Sequence, residues 1–217
     1  VEHADTLVLV DIDDVLFPTR VEAARHFAEK FELSATAMNF IDSHSKLVSG
    51  VFDPSKGDPE LIENNVFGFS NTTWRSSLLA DLLPVPEDCV TMDWYVATLA
   101  RIKGAIIGFD VEPRMYYRQY EANMAHVLSP FSDKQVLVAT MLVLKHFSAI
   151  MHWLEKNDQA EFLERYLTAY NRIEKFNKSM ANPDCLKKYV LALNRLPNSY
   201  VWWSCVANAC LEEIWMK

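Results

Sequence analysis

Three aspartates fall within four positions, Asp11-Ile12-Asp13-Asp14. Crowded carboxylates repel one another, and a divalent cation or Lys/Arg partners relieve that repulsion. An oxygen-rich set of this kind suits Mg2+ or Mn2+, which can be shared with phosphate oxygens of a substrate. The alternative is a solvated acidic turn. An apolar run on each side, up to Val10 and again from Val15-Leu16-Phe17-Pro18, favours a site over a turn.

The elements that must position these acids follow from the pattern. Residues 6–10 read as a fully buried strand that ends in the aspartates, at the carboxyl edge where open α/β sheets bind ligands. Residues 20–31 predict an amphipathic helix with Val21, Ala24, Phe27 and Phe31 on one stripe. Residues 43–71 are loop-rich, and 74–83 predict a short helix closed by Pro84-Val85-Pro86. A helix over 92–103 ends at Gly104, a residue suited to the position just past a helix. A second buried strand spans 105–109, and Glu112-Pro113 turns the chain into 116–120. Beyond Leu128 the pattern is helical throughout. Ser132 with Gln135 forms a capping box that opens a helix to about Lys156. Another helix runs over 159–178. Two more, set off by Asn182-Pro183 and Leu196-Pro197-Asn198, carry the chain to Trp215.

The totals bound what such a chain can do. Its 217 residues, half of them apolar and only five of them Gly, suffice for a real core and lean toward helix. Net charge is 21 − 29 = −8, which disfavours nucleic acid as a partner, because that affinity comes largely from Lys and Arg on phosphates. Cys89, Cys185, Cys205 and Cys210 form no CxxC pair and read as reduced, buried thiols. The longest apolar run, 136–144, is too short to span a bilayer and leads into Lys145 and His146. No signal-peptide pattern opens the sequence, so the expected location is cytoplasmic, either soluble or attached peripherally at the inner face of the membrane.

An Asp-x-Asp after a first strand also begins phosphohydrolases of the haloacid dehalogenase type, where Asp11 would be the nucleophile. Those enzymes need a later Ser/Thr at a strand end, a Lys and another acidic pair. Ser204, after Tyr200-Val201-Trp202-Trp203, supplies only the first of these. Residues 67–123 point elsewhere. Phe67-Gly68-Phe69-Ser70-Asn71-Thr72-Thr73-Trp74-Arg75, then Leu83-Pro84-Val85-Pro86-Glu87-Asp88 leading to Met92-Asp93-Trp94-Tyr95, then Tyr116-Tyr117-Arg118-Gln119-Tyr120 with a trailing Asn123 follow the acidic motif in order. Together these blocks resemble the inverting family-2 glycosyltransferases of the GT-A fold over about residues 1–128.

The resemblance implies an α/β fold: the second half of a GT-A domain over 1–128, followed by an α-helical C-terminal region over 129–217. It implies transfer of a sugar from a nucleotide-sugar donor to a hydroxyl of a glycan or glycolipid acceptor, with inversion, as in polysaccharide or glycoconjugate synthesis. Asp93 would be the catalytic base. Asp11 and Asp13 would hold Mg2+ or Mn2+, Asp14 would orient the loop or donor sugar, and Arg118 would contact phosphate. Two positions depart from the family pattern: Met92 precedes Asp93 where Glu is usual, and Tyr120 replaces a His. The family's N-terminal nucleotide-binding half has no counterpart ahead of Val1, which fits either a longer protein or a shortened fold. Besides the phosphatase, a non-catalytic helical interaction module retaining a glycosyltransferase remnant is the remaining alternative.

Overall fold

In the computed structural model, residues 4–57, 60–62, 64–121 and 123–216 are described. Helices take 44% of the described residues and strands 17%, which makes the fold mixed α/β. The strands are β1 (Thr6–Val8), β2 (Val15–Leu16), β3 (Leu33–Ile41), β4 (Leu47–Phe52), β5 (Thr72–Arg75) and β6 (Ile107–Arg118). They form one sheet in the order β1-β5-β3-β6-β2, with β4 also paired to β3. β3 and β6 run parallel, and every other pairing is antiparallel.

β3 is the organising strand, and none of the sequence expectations covers it. Its core residues are small or flanked by small neighbours (Ser34, Ala35, Thr36 and Ala37), and both of its faces are buried. The alternation of polar and apolar residues that marks a half-exposed strand is therefore absent. β5 pairs with the first residues of β3 and β4 with the last ones, while β6 lies along the opposite edge. Residues 43–71, expected as loop, thus contain a strand as well.

Three further expectations are corrected. The fully buried strand over 6–10 is a three-residue, half-buried edge strand, because β1 has β5 on one side only; Val10 is exposed. Trp74 and Arg75 belong to β5, and the short helix α2 begins at Ser76 and ends at Asp81. At Glu112-Pro113 the chain does not turn. β6 runs straight through, and two extra residues bulge out between the Thr36–Asp110 and Ala37–Pro113 pairs. A proline has no N–H to give a ladder, so a bulge is where a strand tolerates it. Asp110 closes the bulge by accepting from Glu112 N and from Arg114 Nε at 2.8 Å.

The helices are α1 (Arg20–Ala28), α3 (Met92–Ile102), α4 (Asp133–Lys156), α5 (Ala160–Met180), α6 (Pro183–Leu193) and the short α7 (Glu212–Trp215). α4 starts with the expected capping box, Gln135 N donating to Ser132 Oγ and Ser132 N to Gln135 Oε1 at 2.7 Å. α3 stops where Gly104 adopts φ +79°. Inside the sheet, α1 is tied down by the buried Arg20, which donates to Thr73 Oγ1 and Thr72 O. The last expected helix is largely irregular. Residues 197–208 form turns with positive φ at Tyr200, Trp203 and Ala207 before the chain returns to helix. One apolar core runs from the sheet (Leu33, Phe40, Trp74) through α3 (Trp94) into the helical layer (Phe147, Tyr166, Phe176, Trp215). All four cysteines are free; Cys89 and Cys205 are buried, Cys185 is half-buried and Cys210 is exposed.

Candidate functional site

Asp11, Asp13 and Asp93 line one cavity of about 290 Å3. The turn after β1 delivers the first two, and the first turn of α3 delivers the third. Ser70 and Asn71 close one side from the segment before β5, and Tyr117 and Tyr120 close another from the end of β6. Trp202 and Trp203 complete the wall from the irregular segment after α6. The wall is close-fitted: a Cβ added at Gly68 would lie 2.8 Å from the Trp202 ring.

The acidic turn is held from several directions. Asp11 N donates to Ser70 Oγ at 2.8 Å, and Asp14 N donates to Asp11 O at 3.1 Å. The Tyr120 hydroxyl donates to Asp13 Oδ2 at 2.8 Å, which raises the tyrosine's pKa because that hydrogen bond favours its protonated form. Tyr120, where the family pattern has His, therefore occupies the acidic turn itself. Asp14 is not part of the cavity lining. Its Oδ1 accepts from Arg118 N at 3.0 Å, and its buried Oδ2 has no hydrogen-bond partner among the described residues. Burial pushes its pKa up to about 6, against the opposing effect of the Arg118 N–H.

Arg118 does not line the cavity. Its guanidinium donates to Asp13 O at 2.8 Å, to Asp42 O at 3.0 Å and to Ser45 Oγ at 2.9 Å. These contacts bind the acidic turn to the β3–β4 turn. Asp11, Asp13 and Asp93 are thus brought together, while Asp14 and Arg118 lie behind them as supports.

Asp93 sits in a different environment from Asp11. Its Oδ1 accepts from Trp94 N at 2.8 Å and its Oδ2 from Asn65 Nδ2 at 3.3 Å. Desolvation, followed by the charge of Asp11, pushes its pKa up to about 6 although both hydrogen bonds oppose the shift. Asn65 is itself locked, donating to Phe67 O and accepting from Phe67 N. Trp94 is fully buried and donates from Nε1 to Leu61 O at 2.8 Å. Asn65, Thr91, Trp202 and Trp203 were not among the sequence candidates. Asn65 stands in an irregular segment where one Asn resembles any other, and the tryptophans read as packing residues until their neighbours are known.

Among the described residues, no group of three or more His, Cys, Asp or Glu side chains is placed to hold a metal; Asp11 and Asp13 offer two carboxylates on one wall. Among the described residues of that wall there is no Lys, Arg or His.

No protein-family model matches the chain, and no curated protein matches it in sequence. The likeness to family-2 glycosyltransferases therefore rests on the ordered blocks alone.

Proposed function

We propose that this chain is the catalytic portion of a metal-dependent, inverting glycosyltransferase, with its sheet as the second half of a GT-A domain. The observation that carries it is the cavity shared by an exposed acidic turn and a desolvated aspartate with a pKa of about 6. Such a pair divides two tasks that sugar transfer needs. One carboxylate accepts a proton, and the others balance charge at the leaving group.

An acceptor hydroxyl is a poor nucleophile at neutral pH. Asp93 takes its proton as the bond to the anomeric carbon forms, and the nucleoside diphosphate leaves from the opposite face. A pKa near 6 keeps Asp93 ionised at pH 7 while leaving it basic enough to accept the proton. Asn65 holds its outer oxygen in place. The aromatic wall of Tyr117, Trp202 and Trp203 excludes water, which would otherwise compete as acceptor.

Asp11 and Asp13 fit Mg2+ or Mn2+, since Mg2+ is ordinarily held by one or two carboxylates plus phosphate oxygens and water. When bound, the cation would supply Lewis-acid stabilisation of the departing diphosphate. The partners that follow are a nucleotide-sugar donor and a glycan or glycolipid acceptor, met at the cytoplasmic face of a membrane.

Calorimetry of a nucleotide-sugar panel with and without Mn2+, together with a transfer assay, tests this. The expected result is Mn2+-dependent donor binding that Asp13→Ala weakens at least about tenfold, and an Asp93→Asn variant that binds donor and transfers nothing. Donor affinity indifferent to Mn2+ and to Asp13→Ala, or full transfer by Asp93→Asn, overturns it.

A further inference from the structure

We propose that His146, on α4, is a positioning residue that fixes Asp93 through Trp94, the next residue, and Thr91, two positions before it; this rests on Asp93 being the proton acceptor. His146 does not reach the cavity. It is 1% exposed, its Nδ1 lies 3.3 Å from Thr91 Oγ1, and its Nε2 has no hydrogen-bond partner among the described residues. Its ring lies flat on that of Trp94, with centroids 3.9 Å apart and planes within 11°. The Trp203 ring is also nearly parallel to Trp94, at 6.2 Å and 12°. Rings from α4 and from the 197–208 segment thus both lie parallel to the indole of Trp94, the residue next to Asp93.

Thr91 supplies the second link. It stands at the N-cap of α3, where a threonine hydroxyl ordinarily accepts from the N–H groups of its own helix. Here that side chain makes no cap hydrogen bond and faces His146 instead. Asp93 receives the Trp94 N–H that begins the helix. The proposed base is therefore held by its own helix start, while the residue two positions before it is anchored to α4.

Stability does not account for a histidine here. Burying a ring nitrogen without a partner is unfavourable, and an apolar side chain of the same size would fill the space without it. Burial pushes the imidazole pKa down to about 3, so the ring is neutral at working pH and carries no proton for the reaction. What it contributes is a flat plate for Trp94 and a hydrogen-bonding partner for Thr91.

The test compares His146→Ala, His146→Phe, which keeps the plate, and His146→Gln, which keeps an amide toward Thr91. Ile150→Ala is the control: Ile150 is equally buried on the same face of α4, one turn beyond His146, so its truncation opens a comparable cavity without touching the imidazole's hydrogen bond or its ring contact. Misplacing a catalytic group by about 1 Å costs up to about 100-fold in rate. The expected result is that His146→Ala lowers kcat at least about tenfold, with KM within about twofold, while Phe and Gln each restore part of the loss. Ile150→Ala should lose thermal stability and keep kcat. The Asn65 side-chain amide resonance, which reports its hydrogen bond to Asp93, should shift in His146→Ala and stay in place in Ile150→Ala. An unmoved amide, or equal kcat losses in His146→Ala and Ile150→Ala, overturns the positioning role. If the wild type transfers no sugar, the proposed activity fails while the amide resonance still decides the role of His146.

Discussion

Asp11 and Asp93 are the same side chain in two settings, and the proposed mechanism turns on the difference between the settings. Asp11 stands on an exposed turn; Asp93 is desolvated and feels the Asp11 charge, so it holds its proton up to about pH 6. In the unfolded chain the same group lets go near 3.8. Between those values the folded protein binds more protons than the unfolded chain, so stability falls as pH rises through that window and levels off above it. Asp93→Asn should therefore stabilise the fold at pH 8, by ~2 kcal/mol after allowance for the remaining solvent contact, and by close to nothing at pH 4. Denaturant melts of both proteins at the two pH values measure this; an equal difference at each pH contradicts it. The acids were legible in the sequence because residue type and spacing alone make a carboxylate cluster chemically unusual. Asn65, Thr91 and His146 were not, since each matters only through what it touches.

At the scale of elements, segments with a strong local signal came out where the pattern put them. α3, α4 and α5 begin and end within a few residues of the expected limits, because a cap, a closing glycine and a 3.6-residue period are local properties of sequence. β3 and the 197–208 segment have no such signal. The first is buried on both faces, and the second owes its left-handed turns to what it packs against. β6 shows the intermediate case: Pro113 announces an interruption, but whether it becomes a turn or a bulge depends on β3 lying alongside. The packing of the segment that follows α1 onto this sheet depends on Gly108, where an added Cβ would come within 2.4–2.6 Å of the Phe31 ring. Gly108→Ala should cost about 1–3 kcal/mol through overpacking, read as a lower denaturation midpoint at unchanged slope. A midpoint within error of wild type would show that Phe31 swings aside freely.

At the scale of the whole molecule, the sheet and the helical layer share one core, and the cavity lies where they meet. Trp203 belongs to both, lining the cavity and lying parallel to the ring of Trp94. Trp203→Ala should destabilise by about 3 kcal/mol, as removal of a buried large aromatic does, and should abolish sugar binding even at temperatures where the fold survives. Calorimetry beside a thermal melt separates the two effects, and retained binding in a destabilised protein would sever the wall from the site.

The cavity draws on residues as far apart in the chain as Asp11 and Trp203. During synthesis the aspartates leave the ribosome long before the tryptophans do. A nascent chain therefore displays its acids to bulk water well before the wall that will enclose them exists. The pocket closes late relative to its floor, when the turns at 197–208 fold back over acids translated much earlier.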